Sequence, residues 1–179
     1  MTQKNDAVKE DKPLVNRVAQ SGLITFILED LAPKAEIVEF DISSFLWQGM
    51  VVKEKEYRSS LKEQDWSAFE GRIVCIVCNA DAIVPSWAYM LVATYLQPIA
   101  KRVWMGPKED FLRLWFSEQI EQLDLAGYED AMIVVKGCAR ENVPESAYVD
   151  LVARLQPVVR SLMYGEPCST VPVYKRPKV

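Results

Sequence analysis

Three of the four cysteines stand in polar or glycine-containing stretches, where a chain can use a thiol for chemistry. Thiolates bind zinc and iron, and a nearby carboxylate can complete the coordination of the metal. The candidate metal ligands or reactive thiols are Cys78, Cys138 and Cys168. The polar neighbours that are candidates for binding a cofactor are Asn79, Asp81 and Glu166. Zinc or iron is the cofactor that this set of side chains would suit.

The spacing of the cysteines leaves several interpretations open. Zinc ribbons use two Cys-x-x-Cys pairs, but this chain has only one such pair, Cys75 and Cys78. Cys75 lies inside an apolar run that predicts a strand, where side chains three positions apart face opposite ways. We therefore expect Cys75 to be a small buried hydrophobic residue. For the other three, a shared metal site, a redox-active thiol and chemically inert cysteines all stay open.

The chain contains no histidine, and this absence excludes several classes of enzyme. Histidine is the usual general base near neutral pH and the commonest metal ligand. Histidine-assisted serine and cysteine hydrolases and histidine-ligated zinc enzymes are therefore excluded. A small-molecule enzyme would have to use residues such as Asp81, Lys136 or Glu141, and we favour a non-enzymatic role.

The sequence repeats itself at a spacing of 59 positions. Residues 65–107 align with residues 124–166 without a gap, and 11 of the 43 paired positions are identical. Each stretch has an apolar run, a polar loop, a helix opened by proline and a second short apolar segment ending near glycine. We predict an internal duplication of a βαβ unit, and hence an α/β fold with a mixed, largely parallel sheet and flanking helices.

The pattern of apolar residues places the elements around this repeat. Residues 73–78 and 132–136 predict buried strands, and residues 103–105 and 162–164 predict the returning strands. Two further helices are expected, at 52–64 and at 109–123. Near the N-terminus, residues 23–31 and 37–42 predict a pair of strands, and residues 43–49 predict a short helix. Residues 1–12 predict a disordered tail, and residues 13–179 a single domain.

The helix after Pro85 is apolar nearly all round, whereas the helix after Pro144 has one apolar stripe. The first helix must therefore be covered on both sides, either by the N-terminal region or by a second subunit. In open α/β sheets, ligands bind beyond the carboxyl ends of the strands. This rule points to the loops that hold Cys78 and Cys138, which follow equivalent strands. The cysteines are not equivalent across the repeat, because Cys138 aligns with Asn79.

Composition limits the partners and the compartment. The formal net charge of −4 argues against general attraction to nucleic acid. The longest apolar stretch is interrupted by proline and polar residues, so we expect no membrane helix. We find no secretory leader pattern, so we expect a cytoplasmic protein with reduced thiols.

Several stretches together resemble one bacterial family. They are VNRVAQSGLITF, FLWQGMVVKEKEYR, CNADAIVPSWAYMLVATYLQP, KGCARENVPESAYV and YGEPCSTVPVYKR. The resemblance is to the family catalogued as domain of unknown function 2480, and it covers about residues 14–178. It implies no established activity. It does imply that the gene lies near genes for iron–sulfur cluster assembly. Iron–sulfur assembly proteins are therefore expected partners.

Two functional hypotheses follow. The first is an accessory protein with a cysteine-lined metal or thiol site, linked to iron–sulfur metabolism. The second is a non-catalytic homodimeric interaction module without metal, in which the apolar first helix forms the dimer or binds another protein.

Overall fold

The computed structural model describes residues 22–136, 143–166 and 168–177. The strands are β1 (Leu23–Phe26), β2 (Ile37–Asp41), β3 (Ile73–Val77), β4 (Arg102–Met105), β5 (Met132–Val135), β6 (Ser161–Glu166) and β7 (Ser169–Lys175). The helices are α1 (Glu54–Glu63), α2 (Ser86–Leu96), α3 (Lys108–Glu121) and α4 (Glu145–Leu155). The predicted α/β class is confirmed. The predicted tail at 1–12 and the loop that holds Cys138 lie outside the described residues.

The first sheet is parallel and has the order β2-β3-β4. Its central strand β3 consists of five apolar residues, all of them buried, as expected for a strand covered on both faces. Val74 and Ile76 face the cluster that includes α1 and α2, whereas Ile73 and Cys75 face the cluster that includes α3. This arrangement places helices on both faces of the first sheet.

The second sheet has the order β1-β5-β6-β7. The pairs β1–β5 and β5–β6 are parallel, and β7 runs antiparallel to β6 with an irregularity between Leu162 and Met163. Ile133 and Val135 pack against α4, whose buried residues include Leu151 and Leu155. The sequence analysis did not predict β7.

The strands are divided between two sheets, where we expected one. The predicted N-terminal strands do form, but the prediction that they pair with each other is wrong. Leu23 pairs with Met132, and Ile37 pairs with Ile73. Each N-terminal strand therefore pairs with the first strand of a different βαβ unit. The helix α3 buries Phe111 and Phe116 in a cluster that contains residues of both sheets, so its apolar surface joins them.

Elements recur at the spacing of 59 positions. Three-residue 3₁₀ turns occupy Ser67–Phe69 and Ala126–Tyr128, and α2 and α4 begin and end at equivalent positions. The residues before the two helices, Pro85 and Pro144, have the same backbone conformation within a degree. The equivalent glycines, Gly106 after β4 and Gly165 within β6, have φ of 124° and 121°. A common origin of the units by tandem duplication stays a prediction.

The N-terminal region covers α2, which was one of the two predicted alternatives. Tyr57 of α1 is fully buried, and its hydroxyl donates a hydrogen bond of 3.3 Å to the carbonyl of Ala88. Its ring meets that of Trp87 edge to face at 5.9 Å. Trp66 stacks on Tyr95 at 5.0 Å. These aromatic contacts fix α1 and the segment that follows it against α2.

Within the described ranges, we find no helix that has both the length and the apolar character for crossing a membrane.

Candidate functional site

Cys78 directly follows β3, at the carboxyl end of the first sheet, where the sequence analysis expected it. Its side chain is half-buried, and its Sγ lies 3.7 Å from the carbonyl oxygen of Ala80. Because β2, β3 and β4 are parallel, their carboxyl ends meet at the same edge. Residues that follow these strands therefore surround Cys78.

Asp41, at the end of β2, organises this edge. Its Oδ1 accepts hydrogen bonds from the backbone N–H of Ser43 at 2.9 Å and from that of Asn79 at 3.2 Å. Desolvation alone would raise the pKa of Asp41, but the hydrogen bonds from Ser43 and Asn79 together lower it. Asp41 is therefore a carboxylate that holds the loop after β3 in place.

Two tyrosines stand close to this edge. Burial, with smaller effects of the neighbouring Cys78 and Asp41, raises the pKa of Tyr89. Burial, with smaller effects of Tyr89 and Cys78, raises the pKa of Tyr57 to about 12. Both phenols are therefore neutral near pH 7, and they can donate hydrogen bonds but cannot act as bases.

A cleft of about 290 Å³ lies at this edge, and we call it the Cys78 cleft. It is lined by Ile76, Val77, Cys78, Asn79, Tyr89, Met105, Gly106 and Pro107. The lining combines one thiol, one thioether, one phenol and one amide. Such a cleft suits a small ligand that meets a soft sulfur surface and a few polar groups.

The structure does not bring the other described candidates to this cleft. Asp81 is exposed and does not line it. Glu166 ends β6 in the second sheet, where it pairs with Ser169, and Cys168 lies exposed in the turn before β7. Cys78 and Cys168 thus follow strands of different sheets. Cys138 lies outside the described residues, so a site shared by the three cysteines stays a prediction.

Two further observations bear on metal binding. Among residues 22–136, 143–166 and 168–177, no group of three or more cysteine or acidic side chains is arranged to hold a metal ion. Cys75 is fully buried, and burial, together with the charge of Glu39, raises the pKa of its thiol to about 11. Cys75 is therefore a structural residue, as its place in the strand predicted.

The second sheet carries a groove of about 310 Å³ beside α4, which we call the α4 groove. It is lined by Val135, Tyr148, Val149, Val152, Leu162, Met163, Tyr164 and Val173. Val149, Tyr164 and Val173 are between 41 % and 70 % exposed, and so is Val171 on the neighbouring part of β7. Among the residues that the structure describes, the groove is therefore an open apolar surface.

The two concavities occupy equivalent places in the two units. Ile76, Tyr89 and Met105 of the Cys78 cleft correspond, 59 positions on, to Val135, Tyr148 and Tyr164 of the α4 groove. Both lie between the crossover helix and the ends of the two strands that it connects. The described walls differ, because the first has Cys78 and Asn79 and the second has valines from α4 and β7. The counterparts of Cys78 and Asn79, at positions 137 and 138, lie outside the described residues.

Sequence reasoning missed three features of these sites. Asp41 was not singled out, because only tertiary structure shows that its carboxylate binds the loop after the neighbouring strand. Tyr89 was not proposed as a site residue, although it lines the cleft. The α4 groove depends on β7, whose alternating Val171 and Val173 were the available signal.

Comparison with known proteins gives one match. A family model described as "Protein of unknown function (DUF2480)" matches residues 12–176. The chain therefore belongs to this family. Neither the curated proteins nor the solved structures contain a significant match.

Proposed function

We propose that the chain is a non-catalytic interaction module of the cytoplasm, which binds an apolar segment of a partner in the α4 groove and also forms a homodimer. The observation that carries the proposal is the exposed apolar lining of that groove. Valine, leucine, methionine and tyrosine side chains offer shape and apolar contact. Contiguous exposed apolar surface with this character is typical of interaction sites.

The exposed valines indicate how strong such a contact can be. Val149, Val171 and Val173 are each more than half exposed. Complete burial of a valine stabilises by roughly 1.5 kcal/mol or more, so covering the three residues contributes about 3 kcal/mol. Association itself costs at least about 4 kcal/mol in lost freedom of motion. A partner must therefore bury additional surface, which favours a folded or helical segment over a single side chain.

A neutral fluorescent dye for apolar surfaces, Nile red, tests whether the groove binds apolar ligands. The double variant Val149→Ser with Val173→Ser removes two walls of the groove. We expect wild type to enhance the dye's fluorescence, and the variant to bind roughly tenfold more weakly. Circular dichroism before and after substitution establishes that both proteins are folded.

The matched control is Met50→Ser with Val51→Ser, because these residues are about equally exposed but lie outside the groove. This control should bind the dye as wild type does. Equal loss of dye binding in both double variants would mean that the dye binds exposed apolar residues wherever they lie. The groove proposal would then be wrong.

The second candidate is an accessory protein of iron–sulfur metabolism with a cysteine-lined site for zinc, iron or a reactive thiol. Its support is the presence of Cys78 and Asn79 on the wall of one cleft at a strand end. Cys75, Cys78 and Cys168 are free thiols, which suits a reducing compartment. This candidate also requires that Cys138, Cys168, Asp81 and Glu166 approach Cys78, which Cys168, Asp81 and Glu166 do not do in this structure. Iron–sulfur assembly proteins are its expected partners.

Metal analysis of protein purified without oxygen tests the second candidate. This candidate predicts that the protein contains stoichiometric zinc or iron. Cys78→Ser and Cys138→Ser should each remove the metal. Cys75→Ala is the control, because a buried structural thiol should not change the metal content. A metal-free chain whose thiols react no faster than free cysteine would exclude this candidate.

A further inference from the structure

The outer side of β4 is an open sheet edge. Within the described ranges, no strand pairs with β4 on the side away from β3. The equivalent strand of the other unit, β6, has the same side covered by β7, which runs antiparallel to it. The two units thus differ at this edge, and the first unit lacks the strand that completes the second.

The edge of β4 has an apolar character. Three consecutive residues, Val103, Trp104 and Met105, follow Arg102 in this strand. Met105 is 61 % exposed, and Met90 of α2, the helix that packs over the same strand, is 67 % exposed. An edge strand exposes unpaired N–H and C=O groups that can pair with another chain, and the last three residues of β4 carry neither charge nor proline. By contrast, β7, one of the two edge strands of the second sheet, contains Pro172 and ends in Lys175.

We propose that a second copy of this chain adds its own β4 to this edge in the antiparallel direction, so that two first sheets form one six-stranded sheet. The inference names a surface for the homodimer of the proposed function, and it does not depend on the α4 groove. A two-fold axis makes such pairing self-complementary, since each β4 is both the donor and the acceptor of the added strand.

The distribution of charge favours the antiparallel direction. Lys101 and Arg102 precede the apolar residues of β4, and Met105 and Gly106 end it. Antiparallel pairing places the basic end of one strand beside the uncharged end of the other. Parallel pairing would place the two basic ends side by side, where like charges destabilise.

The faces of the strand restrict the register. Val103 packs with the cluster of α2, whereas Trp104 packs with the cluster of α3. Since side chains alternate, Met105 and Lys101 share the face of Val103. A two-fold axis perpendicular to the sheet keeps the faces, so Met105 lies opposite a residue of its own face. The registers of this kind that pair more than one residue of β4 with β4 of the second copy place Met105 opposite Lys101 or opposite Val103. A charge introduced at position 105 therefore meets the lysine of the other copy directly or diagonally.

Charge substitutions at position 105 test the proposal, with the dissociation constant of the dimer measured by analytical ultracentrifugation. Met105→Lys should weaken the dimer at least about tenfold. The variant buries less apolar surface, and the two-fold symmetry brings the new lysine close to Lys101 of the other copy at two equivalent places. Met105→Glu should bind more tightly than Met105→Lys. The double variant Lys101→Glu with Met105→Lys should return the dissociation constant to within about threefold of that of Met105→Glu, since it restores opposite charges.

The control is Val149→Lys, which introduces the same charge at an equally exposed apolar residue of the α4 groove. It should leave the dimer unchanged while reducing dye binding, so the two proposals fail separately. A wild-type chain that stays monomeric at high micromolar concentration would overturn the inference. Equal dissociation constants for Met105→Lys and Met105→Glu would also overturn it.

Discussion

Replacing Tyr57 with phenylalanine should change the dependence of stability on alkaline pH. Tyr57 is fully buried, and its hydroxyl donates a hydrogen bond to the carbonyl of Ala88. Phenylalanine keeps the ring contacts with Phe45 and Trp87. Near pH 7, the variant should lose only the contribution of one hydrogen bond, about 1 kcal/mol of the free energy of unfolding.

The effect changes sign as the pH rises. Burial raises the pKa of Tyr57 from 10.0 to about 12. The unfolded chain therefore releases this proton at a lower pH than the folded chain. The stability that the neutral phenol contributes is complete below pH 10 and is lost as the pH rises through 12. A difference of about two pKa units corresponds to about 2.7 kcal/mol.

The two stability curves should therefore cross near pH 11. Wild type should be the more stable protein below the crossing, and Tyr57→Phe above it. Urea unfolding followed by circular dichroism between pH 8 and pH 12 measures both curves. Phe40→Leu is the control, because it disturbs the same buried cluster without changing an ionisable group. Curves for wild type and Tyr57→Phe that stay parallel up to pH 12 would refute the reasoning.

Three further predictions concern stability and can be measured by urea unfolding. Gly165→Ala should lower the free energy of unfolding by about 1–3 kcal/mol, because φ is 121° and the new Cβ would lie 2.6 Å from the backbone oxygen of Ser169. Gly127→Ala is the control and should not lower it in this way, because no atom lies within 4 Å of its new Cβ. Glu118→Gln should cost about 1 kcal/mol at pH 7, because Arg102 binds both carboxylate oxygens, at 2.7 and 2.8 Å. Hydrogen bonds from Arg102 lower the pKa of Glu118, so this difference should disappear as the pH falls through the folded-state value. Leu96→Ala should cost 2–5 kcal/mol, because the side chain is fully buried; a cost below about 1 kcal/mol would contradict its place in the core.

Local signals in the sequence were sufficient to predict most elements. Pro85 and Pro144 precede α2 and α4, and the apolar runs after Arg72 and Ala131 form β3 and β5. These signals act over a few residues, because proline restricts its own backbone and a run of apolar residues must be buried. Local chemistry therefore determined where each helix and most strands begin.

The partners of the strands could not be predicted in the same way. The strands β1 and β2 are close in sequence, yet Leu23 pairs with Met132 and Ile37 with Ile73. Parallel pairing depends on which helices cover each sheet, and a single segment does not encode that choice. The strand β7 was missed for a related reason, because Pro172 in its centre argues against a strand unless the strand lies at an edge.

The same distinction between local and long-range information applies to the candidate sites. The position of Cys78 and Asn79 at a strand end followed from the apolar run before them. The hydrogen bond between Asp41 and Asn79 joins residues far apart in the sequence, and so does the approach of Tyr57 to α2. The α4 groove depends on the antiparallel return of β7, so its walls could only be recognised in the folded chain.

The pairing of β1 with β5 has a consequence for the order in which the chain can fold during synthesis. The first sheet, from β2 to β4, is built from one uninterrupted stretch of chain. The strand β1 leaves the ribosome before that stretch, but its partner β5 leaves after it. We therefore expect β1 to wait, unpaired, until the second unit has been translated. The last part of the chain thus completes a sheet that the first part began, and folding is finished only when both ends are present.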